Sequence, residues 1–177
     1  MPVASAWRRL PAANRSWLLV NALVATAAIN AIVNAALAWI AVAGQDTVPL
    51  WGAPLVETSV FWNVVGTLFL LPSITCVLTT TAIRRDVRRG SLASLDRLHR
   101  PAALPVARWR RGVVLGAFVT AVLGPPLIFA LAVSGFPDLG TAQFVACQTA
   151  FAVTLGAIVT PPIALLAMAD PHPGALP

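Results

Sequence analysis

Four long apolar runs constrain this chain more than any other feature. They cover residues 17–43, 58–83, 112–134 and 141–168, and none has a charged residue or a histidine in its interior. Each run exceeds the roughly 20 residues that a helix needs to cross about 30 Å of hydrocarbon. A helix also satisfies its own backbone hydrogen bonds in lipid. We therefore predict an all-α membrane protein built as a bundle of four transmembrane helices.

The overall composition places the chain in the same class. Hydrophobic residues make up 58% of its 177 residues and charged residues only 10%, whereas a soluble domain carries about 25% charged residues. The length is typical of one domain. The bilayer itself is thus the first predicted partner.

The arginines predict how the helices are oriented. All 12 basic residues are Arg, and they occur only before the first run and between the second and the third. The two other loops carry Asp46, Glu57 and Asp138 instead. Because basic residues concentrate in cytoplasmic loops, this placement predicts that both termini and the central loop are cytoplasmic.

These features divide the chain into five segments. Residues 1–16 form a cytoplasmic N-terminal segment, 17–83 a first transmembrane hairpin, 84–111 an Arg-rich cytoplasmic loop, 112–168 a second hairpin, and 169–177 a disordered cytoplasmic tail. The use of Arg without Lys is typical of GC-rich bacterial genomes, which predicts a bacterial inner membrane. A cleaved signal is the alternative for the first run, but that run is longer than the roughly 7–15 apolar residues of a secretory signal.

A shared spacing indicates that the two hairpins are related. The pattern Phe-x4-Gly-x5-Pro begins at Phe61 in the second run and recurs at Phe151 in the fourth, at an offset of 90 residues. Both hairpins start on the same side of the membrane, so the interpretation is a tandem parallel repeat. Chance similarity between two apolar helices is the alternative.

Neutral polar residues in the first run form one candidate site. Asn30 and Asn34 are one helical turn apart, and a stripe of small residues, Ala27, Ala31 and Ala35, adjoins them. Small residues let helix backbones approach closely, and Asn side chains hydrogen-bond across such contacts. We interpret this face as a helix–helix interface. The alternative is that the two amides line a polar path or bind a neutral ligand.

Prolines in three of the runs predict helix breaks near the middle of the membrane. The residues concerned are Pro72, Pro125, Pro126, Pro161 and Pro162. A mid-helix proline removes one hydrogen-bond donor and frees a carbonyl one turn earlier. Broken helices mark binding sites in many transporters, although proline is also common in ordinary membrane helices.

The central loop predicts contact with an anionic inner leaflet, because each Arg near such a surface contributes about 1 kcal/mol of attraction. Val87, Leu92, Leu95 and Leu98 predict a short amphipathic helix there, following Gly90 and ended by prolines. A solvated loop is the alternative. The arginines predicted to contact lipid headgroups are Arg84, Arg85, Arg88, Arg89, Arg108, Arg110 and Arg111.

The loop between the first two runs is apolar although it lies outside them. Residues 48–55 include Trp51 and two prolines. We expect this loop to lie in the membrane interface, with Trp51 as an anchor. Contact with a partner protein is the alternative reading of such an apolar surface.

Several function classes are not expected. No Ser–His–Asp, paired-carboxylate, metal-ligand or glycine-loop pattern is present, so we predict neither catalysis nor a cofactor or metal site. The sequence pI near 11.5 does not predict a nucleic-acid partner, because the arginines follow the membrane topology. The apolar runs hold no ionisable residue, which disfavours proton-coupled transport.

Two classes remain. The first is a non-catalytic membrane component, such as an accessory subunit, scaffold or assembly factor, working with a membrane protein partner. The second is a small oligomeric permease or channel for a neutral or small solute, which would form a homo-oligomer because four helices rarely enclose a path alone. The absence of charge within the runs favours the first class, and the prolines favour the second.

Overall fold

The computed structural model describes residues 10–53, 57–95, 105–135 and 138–170. Within these ranges it contains four helices that are long and apolar enough to cross a membrane. The predicted helical class is therefore confirmed, as is the predicted number of helices that are long and apolar enough to cross a membrane. The calls that fall on residues 1–9, 96–104 or 171–177 lie outside the described residues.

The four helices are named in chain order. They are α1 (Ala12–Ala41), α2 (Val60–Arg88), α3 (Arg108–Val133) and α4 (Thr141–Met168). The bounds of α4 are those predicted. The helices α1, α2 and α3 extend beyond the apolar runs at their Arg-rich ends, because Arg is a good helix former and helix propensity does not stop where hydrophobicity does. Helix α1 also ends two residues earlier than predicted.

Helix α1 contains a stretch of π-helix that the sequence did not predict. It covers Leu18–Ala25, between α-helical segments on either side. The hydroxyl of Thr26 donates to the carbonyl of Asn21, five residues earlier, at 2.8 Å. Leu18 and Ala22, which lie in this stretch, are buried. One face of this π-helical stretch therefore packs against the protein interior.

The helices continue through their prolines. Pro72 lies inside α2, and α3 and α4 each contain an adjacent proline pair without interruption of the helix. The hydroxyl of Ser73 donates to the carbonyl of Phe69 within α2 at 2.7 Å. The prolines that were predicted to break the helices thus lie within continuous helices.

The packing order of the helices differs from their chain order. Helix α4 packs against α1 and α2, and α3 packs against α2. The predicted hairpins are therefore not separate packing units, because each first helix packs on the second helix of the other half. Exchanging the two halves leaves this pattern of contacts unchanged, and the tandem repeat itself stays a prediction.

Helices α2 and α3 approach each other closely at two glycines. A Cβ at Gly112 would lie 2.7 Å from the backbone oxygen of Ser73, and one at Gly116 would lie 2.5 Å from that of Phe69. The hydroxyl of Ser73 also donates to the carbonyl of Gly112 at 3.1 Å. Only glycine fits at these positions without a shift of the backbone.

The ends of the helices opposite the arginines are joined by a short antiparallel pair of strands. Strand β1 (Thr47–Val48) pairs with β2 (Leu139–Gly140), with Thr47 opposite Gly140. Val48 is fully buried in an apolar cluster at this end. The strands connect the two loops without arginines, one from each half of the chain.

Candidate functional site

The first candidate site, around Asn30, lies at a contact between helices. Asn30 is buried at 9% exposure, and a Cβ at Gly156 of α4 would overlap its Nδ2 atom. Nδ2 has no hydrogen-bond partner among the described residues. Asn34 is half-buried and donates to the carbonyl of Asn30 at 3.0 Å. The stripe beside them is also half-buried and comprises Ala27, Ala31 and Ala35.

A further amide within an apolar run was not singled out from the sequence. Gln148 of α4 is buried, and its Nε2 donates to the hydroxyl of Thr67 in α2 at 2.6 Å. This bond crosses between the two central helices. The sequence did contain a signal for this bond, namely a glutamine inside an apolar run. Such a polar group needs a hydrogen-bond partner when it is buried.

A cluster of ionised side chains joins three helices at the Arg-rich end. Arg111 of α3 is 0% exposed, and Asp170, just after α4, is 1% exposed. Nη2 of Arg111 donates to Oδ1 of Asp170 at 2.6 Å, and Nη2 of Arg84 in α2 donates to Oδ2 at 2.8 Å. Nε of Arg84 also donates to Oδ2, at 3.2 Å. We call these three residues the Asp170 cluster.

The same arginines hold the chain that leads into α3. Nε of Arg111 donates to the carbonyl of Pro105 at 3.0 Å, and Nη2 of Arg84 donates to that of Val106 at 2.8 Å. Nη1 of Arg111 is buried without a hydrogen-bond partner in the described part of the chain. The cluster therefore fixes the start of α3 against the ends of α2 and α4.

The predicted set of headgroup contacts divides into two groups. Arg111 was predicted to lie at the surface and contact lipid headgroups. Its side chain instead points into the protein interior, because its charge is paired with Asp170. Arg84 is partly exposed and shares the same carboxylate. The remaining five are exposed, and their contact with lipid stays a prediction; they are Arg85, Arg88, Arg89, Arg108 and Arg110.

The segment after α2 folds back onto the helix ends. Oδ1 of Asn14 accepts from the backbone N–H of Ala93 at 3.1 Å, and its Nδ2 donates to the carbonyl of Ala93 at 2.9 Å. The N–H of Leu95 donates to the carbonyl of Met168 at 2.9 Å. Leu92 is buried in the cluster beneath.

These contacts show that the predicted amphipathic helix is wrong over residues 91–95. This part of the segment is not helical, because its backbone groups bond to Asn14 and Met168 instead of to each other. Its leucines bury their side chains in the protein rather than presenting them to a membrane surface. Leu98, the last residue of the predicted stripe, lies outside the described residues.

The loop before α2 is fixed by aromatic contacts. The ring of Trp51 packs on that of Phe61 with centroids 5.2 Å apart, and Trp51 keeps 46% of its surface exposed. Nε1 of Trp62 donates to the carbonyl of Gly52 at 3.1 Å. An exposed tryptophan held in place is compatible with either predicted role, an interfacial anchor or a partner contact.

Comparisons with known proteins do not assign this site. No protein-family model, curated protein or solved structure matches the chain. Within the described ranges, no group of His, Cys, Asp or Glu side chains is arranged to hold a metal ion. The proposals below therefore rest on the contacts of this chain alone.

Proposed function

We propose that this chain is a non-catalytic component of the bacterial inner membrane, acting as an accessory subunit, scaffold or assembly factor for a partner membrane protein. The observation that carries the proposal is the use of polar side chains within the helices. Gln148 bonds to Thr67, and Asn30 lies on Gly156. These groups contribute to contacts between helices of the same chain, as polar residues in membrane helices commonly do.

The positions of the clefts support the same proposal. A cleft of about 450 Å³ lies at the strand end, bounded in part by Trp39, Asp46 and Gln143. A second cleft of about 300 Å³ lies at the Arg-rich end. Neither Asn30 nor Gln148 lines either cleft. A single chain with this packing is suited to holding a surface in the membrane rather than to enclosing a path.

The proposed orientation places the Arg-rich end in the cytoplasm. The described arginines lie at one end of the helices. Asp46 and Asp138 lie near the strands at the other end. Basic residues are retained on the cytoplasmic side during insertion. Both termini would then be cytoplasmic.

Solute flux tests the proposal against its rival. Purified protein is reconstituted in liposomes, and light scattering follows their volume after an osmotic step with glycerol or urea. We expect the same rate as in protein-free liposomes. Faster flux that is lost in the Asn30→Leu/Asn34→Leu variant, with assembly intact, would instead establish an oligomeric permease for neutral solutes.

A further inference from the structure

A basic cleft lies beside the Asp170 cluster, between the end of α2 and the start of α3. Its volume is about 300 Å³, and it is lined by Thr81, Arg84, Arg88, Ala107, Arg108 and Trp109. Nη1 of Arg108 donates to the hydroxyl of Thr81 at 2.8 Å. This bond joins the two walls, so the cleft is a defined feature of the α2–α3 contact.

Two of the three arginines that line this cleft have no ion-pair partner within the described protein. Arg84 shares the carboxylate of Asp170 with Arg111. Neither Arg88 nor Arg108 forms an ion pair with any residue that the structure describes. Like charges that line one concave surface raise its positive potential and attract anions. The cleft therefore favours an anionic occupant.

The backbone adds to this positive potential. Helix α3 begins at Arg108 with no side-chain cap and no acidic residue in its first turn. The first N–H groups of a helix lack carbonyl partners within it, and the helix dipole places partial positive charge there. Arginines at this end are unfavourable unless an anion offsets them. Phosphate groups bind at helix N-termini for the same reasons.

We infer that this cleft binds a phosphate group, supplied by an anionic lipid headgroup or by free phosphate. Arg88 and Arg108 donate charge-assisted hydrogen bonds to the phosphate oxygens, for which the planar guanidinium is well suited. Trp109, 60% exposed at the rim, is a residue type enriched at the level of lipid headgroups. This site goes beyond the proposed role, and its occupancy does not require a protein partner.

Two double variants with equal loss of charge provide the test. Arg88→Gln with Arg108→Gln removes the cations of the cleft that lack an ion pair. Arg85→Gln with Arg89→Gln removes two exposed arginines from the same end of α2 that do not line the cleft. The full-length proteins are titrated with phosphatidylglycerol in nanodiscs, and retained lipid is counted by native mass spectrometry.

We expect the cleft variant to lose phosphatidylglycerol affinity by about tenfold or more, and the control by no more than about threefold. Titration calorimetry with inorganic phosphate separates the two sources. Tighter binding of phosphatidylglycerol than of phosphatidylcholine assigns the site to a lipid, whereas phosphate binding without a lipid preference assigns it to free phosphate. The two variants are also compared with inorganic phosphate. Equal losses of affinity in the two variants for whichever ligand binds, or no binding of either ligand, would overturn the inference.

Discussion

At the residue scale, the main difference from the sequence-based expectation is Asp170. The sequence assigns it to a disordered tail, whereas the structure buries it between Arg84 and Arg111. These residues are far apart in the chain, and a charge after an apolar run gives no indication of its partner. The sequence did contain one signal for this pairing. Asp170 is an acidic residue at the end of the helices where the arginines are concentrated.

Replacing Asp170 by Ala should strongly destabilise the protein. Arg111 would remain buried without its carboxylate, and breaking a buried ion pair costs about 3–5 kcal/mol. Thermal unfolding in detergent measures the loss. Asp138→Ala is the matched control, since Asp138 is exposed beside β2. Similar melting temperatures for the two variants would contradict the structural role of the cluster.

A pair of glycine substitutions tests the α1–α4 contact. Gly156→Ala should destabilise the protein because its Cβ would overlap the amide end of the Asn30 side chain, which is buried and would have to move. Gly66→Ala should be neutral or stabilising, since nothing lies within 4 Å of a Cβ there and Ala favours helix by about 1 kcal/mol over Gly. Denaturation in SDS should separate the two by at least about 1 kcal/mol. Equal stabilities would contradict this contact.

At the element scale, apolar length predicts the helices well and predicts their surroundings poorly. The bounds of α4 follow from hydrophobicity alone, and α2 extends to Arg88 because charged residues also form helix. Leu92 and Leu95 have the spacing of an amphipathic helix, but the backbone of this segment forms tertiary hydrogen bonds with the side chain of Asn14 and the carbonyl of Met168 instead. Local pattern contains no information about such distant partners.

The same limit applies to the α2–α3 contact. The spacing of Gly112 and Gly116 is a known pattern for close helix approach, and it was readable in the sequence. The opposing surface, which is the backbone at Phe69 and Ser73, could not be predicted from the sequence. The pattern identifies one face of the contact and does not identify the face that packs against it.

Adding a side chain at this contact should separate the helices. Gly112→Ala places a Cβ 2.7 Å from a backbone oxygen, whereas Gly124→Ala on the same helix meets nothing closer than 3.9 Å. Overpacking against backbone costs about 1–3 kcal/mol, so only Gly112→Ala should lower the melting temperature. The contact would be disproved if Gly124→Ala were the more damaging change.

At the scale of the whole molecule, each half packs its first helix against the second helix of the other half. Helix α1 packs on α4, α3 packs on α2, and strands β1 and β2 join the loops at the opposite end from the arginines. The repeated spacing from Phe61 and Phe151 predicts a relation between the halves, which stays a prediction. It does not give the packing order, because two related hairpins can pack separately or interlock.

A disulfide should report the strand pairing. Opposed residues in antiparallel strands have Cα atoms about 4.5–5.5 Å apart, which is within disulfide range. Cys147 is an exposed free cysteine and is replaced by Ser to prevent other disulfides. In this background, Thr47→Cys with Gly140→Cys should link the two halves on mild oxidation. A protease site inserted between residues 95 and 105 allows a non-reducing gel to show the link. Halves that separate without reductant would contradict the pairing, and each single cysteine variant is a control.

The mass of the intact assembly, released gently from its native membrane, tests the proposed role most directly. Native mass spectrometry compares it with the 18.5 kDa chain. As a component that serves another membrane protein, the chain should appear in an assembly whose mass requires a second, different polypeptide. A mass equal to a whole multiple of the single chain, with no other polypeptide, would contradict the proposal and favour a homo-oligomeric permease.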